Sequence, residues 1–422
     1  MLNKTSNLKF VLFVVFAVFI SNAFANTDKN LGKITGEVDI NLKLEKISVR
    51  LKYDYVAVGE AEPEIKFYLS ENFNVTKVKC GRCSAFKFDP KAQRLPTLTI
   101  SLEKPLQTGE RLPIEIEYDG DLKGMYHKEH RFLELGLDWF WYPVHPSFSG
   151  FNFLYRLTVK TDATDFQLAG NGRAVKKGKN WLVESKAPDY DIDLVLSDNL
   201  SFKRYSENGY NLQVVSKNLP EEVSATLLGN IRETLDFYNS TFGAKNPQRE
   251  VTAVIRPFPE ISGQGGYFRK GYFILPRIDD AKNLFFPVAH ELAHNWWTGA
   301  NQQNAWLNES FAEYSAMLAT RKLKGADAFN EILEKKKKLN QNLPPIYGFD
   351  RTKNRQQTPL VLYVKGALKL HELEKDLGEA KFLEFLQKAS EAKVDETDEL
   401  IEFLAKFSSR ETADKFLAAL KE

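Results

Sequence analysis

His290-Glu291-Leu292-Ala293-His294 is the stretch from which this 422-residue chain is best read, because two of its six histidines fall there, four apart, with a glutamate between them. On a helix, residues four apart lie one turn apart on one face, so both imidazoles can reach a single ion. At this histidine frequency, roughly 0.01 matches to the pattern are expected by chance. Two surface histidines on an amphipathic helix are therefore a weak explanation. Pro287 must sit in the first turn of that helix, or the helix is kinked there.

Zinc needs a third protein ligand and an open position for catalysis. The next helix is predicted to begin near Trp306 and reads Trp306-Leu-Asn-Glu309-Ser-Phe-Ala-Glu313-Tyr314. Glu309 and Glu313 share one of its faces. Two neutral imidazoles and one carboxylate leave a bound dication at about +1, which acidifies a bound water toward a pKa near ~7. Glu291, between the histidines, suits the base that takes that water's proton.

Outward from this region the chain changes style. From about 35 to 205 it is β-rich. Ile34–Leu44, Thr97–Leu102 and Leu112–Tyr118 alternate apolar and polar residues between Pro, Gly and Asp. Trp139-Phe-Trp-Tyr-Pro143 reads as core or interface packing. From Glu221 to Tyr238 the apolar spacing becomes helical, and after short strands at Val251–Ile255 and Gly271–Leu275 the chain is mostly helical to its end. Lys335–Lys338 is read as a solvated helix face. No fixed-period repeat appears.

Residues 1–25 read as a cleaved export signal. Lys4 and Lys9 precede the apolar run Phe10–Ile20, which is too short to span a bilayer, and Ala23-Phe-Ala25 ends the segment. The net charge is +2, and those two lysines account for it. The remainder is neutral overall, so no global field draws it to nucleic acid or to anionic lipid. An oxidising compartment would let Cys80 and Cys83 close a small local disulfide.

The two zinc-site segments together, His-Glu-Leu-Ala-His-Asn-Trp-Trp and Trp-Leu-Asn-Glu-Ser-Phe-Ala-Glu-Tyr, resemble those of the aminopeptidase N family, which includes leukotriene hydrolase-type enzymes. These are gluzincins with a thermolysin-like catalytic domain. Tyr363-Val-Lys365-Gly366 is similar to the family's Tyr-x-Lys-Gly segment, whose tyrosine donates a hydrogen bond to the oxyanion. A donor so aimed is worth ~3 kcal/mol. Leu235-Asp-Phe-Tyr and Phe242-Gly are similar to the family's approach to its catalytic domain.

Three departures from the family stand out. Relatives usually have 18 residues between the second histidine and the ligating glutamate; here 14 separate His294 from Glu309, and 18 separate it from Glu313. Glu309 is preferred as the third ligand, because shortening a surface loop is tolerated more readily than shifting a packed helix by a turn. Glu313 then lies behind the ligands or at the surface. The exopeptidase motif Gly-x-Met-Glu-Asn is replaced by Gly263-Gln264-Gly265-Gly266-Tyr267, without the glutamate that grips a free amine. Those glycines permit close backbone approach, so an extended peptide could pair there as an added strand. An endopeptidase and an enzyme that holds the amine through Glu260 or another acid both stay open. Finally, only about 59 residues follow Tyr363, too few for the large helical domain that closes the cleft in many relatives.

The expectation is an α+β multidomain chain: a signal segment 1–25, an N-terminal all-β domain 26–205, and a thermolysin-like, mainly helical catalytic domain 206–422 with a small sheet. The expected function is an exported zinc-dependent metallopeptidase, periplasmic or extracellular, acting on a peptide or protein. One Zn2+ per chain sits on His290, His294 and Glu309, Glu291 and Tyr363 are catalytic, and Gly263, Gln264, Gly265 and Gly266 contact substrate. No nucleic-acid partner and no membrane span in the mature chain are expected; the oligomeric state is open. The alternative is a catalytically weak or inactive peptidase fold serving in binding or assembly.

Overall fold

The computed structural model describes residues 31–422 apart from 94, 149–150, 260–264, 302 and 352. The export segment 1–25, Gly263 and Gln264 lie outside the described residues. The chain divides into two compact units. One takes the residues up to Met125 with Leu135–Thr164 and Gly172–Ile192; the other takes Tyr126–Glu134, Asp165–Asn171 and everything from Asp193.

The first unit is built of strands. Its seven-stranded sheet runs in the order Arg173–Lys177, Asn180–Glu184, Phe153–Thr161, Gly32–Asn41, Lys46–Val56, Arg111–Asp121, Phe73–Cys80. Lys46–Val56 shows why these segments are strands: Ile47, Val49, Leu51, Tyr53 and Tyr55 are buried while Lys46, Ser48, Arg50 and Lys52 face water. That period of two matches a pleat with one wet face. A three-stranded sheet joins Glu62–Tyr68, Thr97–Leu106 and Cys83–Asp89. Cys80 and Cys83 form a disulfide across one turn. The aromatic patch is core: Trp141 and Tyr142 are fully buried, and Trp141 Nε1 donates to the Ile192 carbonyl at 2.9 Å.

The second unit holds a four-stranded sheet, ordered Phe166–Gly170, Leu194–Asp198, Phe132–Leu135, Tyr126–His127. It also holds a five-stranded one, ordered Leu200–Tyr205, Asn211–Lys217, Glu250–Ile255, Tyr272–Leu275, Tyr267–Arg269. Residues 193–205, read from sequence with the β-rich half, pack in this unit. Leu200–Tyr205 pairs with Asn211–Lys217, which runs parallel to Glu250–Ile255, so hydrogen bonding carries these strands across the change in composition. Eight helices are described: α1 (Glu221–Thr241), α2 (Ala281–Ala293), α3 (Ala305–Lys324), α4 (Ala326–Leu339), α5 (Gly366–Leu377), α6 (Glu379–Ala392), α7 (Thr397–Phe407) and α8 (Arg410–Lys421). A π-helical turn, Leu360–Lys365, precedes α5. An N-terminal all-β part followed by a mainly helical part with a small sheet is the architecture expected from sequence.

Val223, Leu227, Ile231, Leu235 and Tyr238 of α1 are buried at helical spacing in the core shared with α2 and α3. α3 is buried along most of its length, which makes it the helix around which the others pack. Pro287 lies inside α2, past its first turn, which leaves the second of the two alternatives, a local disturbance of the helix at that point. α2 begins at Ala281, far enough upstream that the proline costs one ladder hydrogen bond mid-helix. Among the described residues no helix is long and apolar enough to cross a membrane.

Candidate metal centre

α2 carries His290, His294 follows immediately past its last residue, and their Nε2 atoms lie 3.2 Å from each other. Glu309, in the first turns of α3, places Oε2 3.6 Å from both. The other ring nitrogens are engaged outward. His290 Nδ1 lies 2.7 Å from Glu313 Oε2, and His294 Nδ1 lies 3.0 Å from the Trp297 carbonyl. Both partners accept only, so each Nδ1 carries a proton and each Nε2 is the nitrogen whose lone pair is available to an ion.

Three ligand atoms thus face one point. Four tetrahedral ligands at about 2.0–2.1 Å from zinc lie roughly 3.3 Å apart. The observed separations match that edge, and the donor set of two imidazoles and one carboxylate is a zinc set. These residues therefore fit the ion that the sequence resemblance implies. His290, His294 and Glu309 form the one group among the described residues whose donor atoms converge in this way.

Burial opposes charge on His290, yet Glu309 and Glu313 overcome it and push its pKa up to about 10, so without a cation the site gathers positive charge on this imidazole. Burial also works against ionised Glu309, but His290 and His294 hold its pKa down to about 2. The Glu291 carboxyl is raised by burial, against the pull of both imidazoles. A raised carboxyl pKa suits a group that must accept and return a proton near neutrality.

Tyr363 lies on the π-helical turn with its ring centroid 5.4 Å from that of His290. Burial and the neighbouring Glu309 carboxylate raise its pKa, which keeps the hydroxyl protonated and able to donate. Gly266 lies beside the base: a Cβ there would come within 3.0 Å of Glu291 Oε1 and 2.6 Å of Leu275 Cδ2. The preceding carbonyl, of Gly265, accepts from Arg256 Nη1 at 2.8 Å, and Arg256 is itself paired in buried surroundings with Glu134 at 2.7 and 2.8 Å. The structure therefore brings His290, His294, Glu309, Glu291, Tyr363 and Gly266 together.

Of the two places left open for Glu313, the structure takes the one behind the ligands, buried against His290, and sequence reading missed one part of this assembly. Lys336, read as part of a solvated run, is buried and paired with Glu313, while Lys335, Lys337 and Lys338 are exposed. Phe329, Leu333 and Lys336 form the buried face of α4, and that i, i+4, i+7 spacing is the signal that singles out Lys336.

A helix pair converging two imidazoles and a carboxylate, in a mainly helical unit with a β-rich unit ahead of it, is the arrangement the sequence resemblance implies. Residues 231–418 match the peptidase family M1 domain, which supports an aminopeptidase N-like M1 family for this part of the chain. No curated protein matches the sequence. The fold is similar to that of an M1 zinc metallopeptidase from Deinococcus radiodurans, at 17% identity and TM-score 0.70 over 93% of this chain and 94% of that one. A point mutant of the Deinococcus radiodurans enzyme, bound to a Tyr-Ser-Ala substrate, superposes with TM-score 0.69 over the same shares at 17% identity. Yeast LTA4 hydrolase is similar at 15% identity and TM-score 0.70, over 91% of this chain and 66% of that one.

Proposed function

We propose that this protein is an active, exported zinc metallopeptidase that hydrolyses peptide bonds, with His290, His294 and Glu309 as its metal ligands. The observation that carries the reading is the convergence of two Nε2 atoms, 3.2 Å apart, with Glu309 Oε2 3.6 Å from each. Zinc, when bound there, supplies Lewis-acid charge and an acidified water. Glu291 takes the proton at its carboxylate and returns it to the leaving amine. Tyr363 donates its hydroxyl proton in a hydrogen bond to the carbonyl oxygen as charge develops. Tyr267–Arg269 is the last strand of the five-stranded sheet, and an extended peptide added along that edge would run past Glu291. Gly265 and Gly266, at the start of this strand, leave room for its backbone.

Glu291→Gln is expected to keep stoichiometric zinc and to lose hydrolysis of casein by a factor of about 10²–10⁴, the contribution of a positioned base. Undiminished turnover in that variant excludes the mechanism. Export rests on the 1–25 segment, and the Cys80–Cys83 disulfide suits an oxidising compartment. Amino-terminal sequencing of the secreted protein should begin at Asn26; a retained segment refutes cleavage.

A further inference from the structure

Lys336 is the one cation of its run that leaves water, and its ammonium reaches two partners. It donates to the Glu313 carboxylate and, at 2.8 Å, to the backbone carbonyl of Tyr363. Glu313 in turn receives His290 Nδ1 at 2.7 Å. A continuous path, His290 to Glu313 to Lys336 to Tyr363, therefore links a metal-ligand candidate on α2 with the oxyanion donor on the π-helical turn.

That turn has particular need of outside donors. A π-helical bond skips a residue relative to the α ladder and leaves carbonyls out of register. Two consecutive carbonyls are satisfied by side chains: Leu362 O accepts from Ser310 Oγ at 2.7 Å, and Tyr363 O accepts from Lys336. A Cβ on Gly366 would lie 1.8 Å from Ser310 Oγ, so α3 meets the turn this closely because residue 366 is glycine. With both carbonyls held, the direction of the Tyr363 side chain is set. Burying an ammonium costs several kcal/mol unless it is fully paired, and an apolar residue would fill the same stripe at less cost.

We propose that Lys336 is a positioning residue: it holds the Tyr363 hydroxyl and the His290 imidazole in one fixed relation, acting through the Tyr363 carbonyl and through Glu313. This rests on the roles given above to Tyr363 and His290. Lys336→Met should weaken zinc, measured on the apoprotein by chelator competition, about tenfold, as loss of an outer partner of a ligand does. It should also lower kcat on fluorescein-labelled casein about tenfold or more with KM within twofold. In a Tyr363→Phe background the same change should cost little further kcat, because the two act through one group.

Lys336→Arg keeps the charge and should recover most of the zinc affinity. If Lys336→Met fails to fold, Lys336→Gln and Lys336→Arg carry the same comparison. Unchanged zinc affinity and kcat in a folded Lys336 variant overturns the proposal, as does a kcat loss that multiplies in full with that of Tyr363→Phe. If the unmodified protein binds zinc but does not cut casein, the peptidase reading fails, while the zinc measurement still decides the part of Lys336 that runs through Glu313.

Discussion

α3 carries two buried polar clusters, and they are built to opposite plans. Toward its carboxyl end, Tyr314 and Arg321 meet His371 and Glu374 of α5. The Tyr314 hydroxyl donates to Glu374 and lies 2.9 Å from His371 Nδ1, and Arg321 clamps both oxygens of Glu374. Every charge there faces a counter-charge. Toward its amino end, Glu309 faces the Nε2 atoms of two imidazoles whose Nδ1 atoms are engaged outward with Glu313 and Trp297. The first cluster is closed and ties two helices together. The second gathers three ligand atoms around one point, where either a proton on His290 or a bound cation balances the carboxylates.

The largest expected effect tests the open cluster directly. Glu309→Ala should weaken zinc by more than the 10–100-fold that follows loss of an outer partner, and Glu313→Ala should fall within that 10–100-fold range. Glu374→Gln should leave zinc affinity unchanged, since its cluster closes on itself. Chelator competition on the three apoproteins ranks them. A Glu313 variant weaker than the Glu309 variant reverses the roles of the two residues, and a zinc effect from Glu374 removes the distinction between the clusters.

How much of this could be read beforehand follows from what helical spacing encodes. His290 and His294 were legible because a separation of four puts two side chains on one face whatever surrounds them. Glu309 and Glu313 were both legible as candidates, and for the same reason the helix alone does not choose between them. The choice lies in how α3 is placed against α2, a matter of packing between segments. Lys336 was hidden because a run of like charges reads as solvated, and only the burial of Glu313 and the out-of-register carbonyl of Tyr363 give one member an interior partner. The strand Leu200–Tyr205 was assigned by local composition, whereas its place is set by pairing with Asn211–Lys217, which in turn joins Glu250–Ile255 beyond the compositional change. The Cys80–Cys83 staple and the buried Trp141-Tyr142 pair needed only local information, and both appear as expected.

A smaller effect sharpens the open cluster from its other side. Gly266 leaves room that Glu291 Oε1 borders. Gly266→Ala should displace the base or the Gly265–Gly266 backbone by a few tenths of an ångström and lower kcat/KM about tenfold, less than a 1 Å misplacement can cost. Zinc affinity should stay the same, because neither imidazole nor Glu309 is touched. A variant as active as the parent would show that the segment yields freely and does not set the position of Glu291.

The smallest expected effect belongs to the closed cluster and is a matter of pH. Burial raises the Glu374 pKa, but His371, Arg321 and Tyr314 together hold it at about 2, against 4.5 for a free glutamate. A carboxyl whose folded-state pKa is depressed stabilises the fold above its unfolded value, and loses that contribution as pH falls toward the folded one. Near neutrality Glu374→Gln should therefore lower Tm by about 3 °C or more, since it removes the charge that Arg321 faces. Below pH 4.5 the parent begins to lose the same interaction, and the gap between the two melting curves should narrow steadily. Paired thermal melts of the zinc-free proteins between about pH 7 and pH 4 read this without interference from the metal. A gap that stays constant or widens on acidification would mean that Glu374 contributes by shape alone, and the two ends of α3 would then differ in packing rather than in how their charges are satisfied.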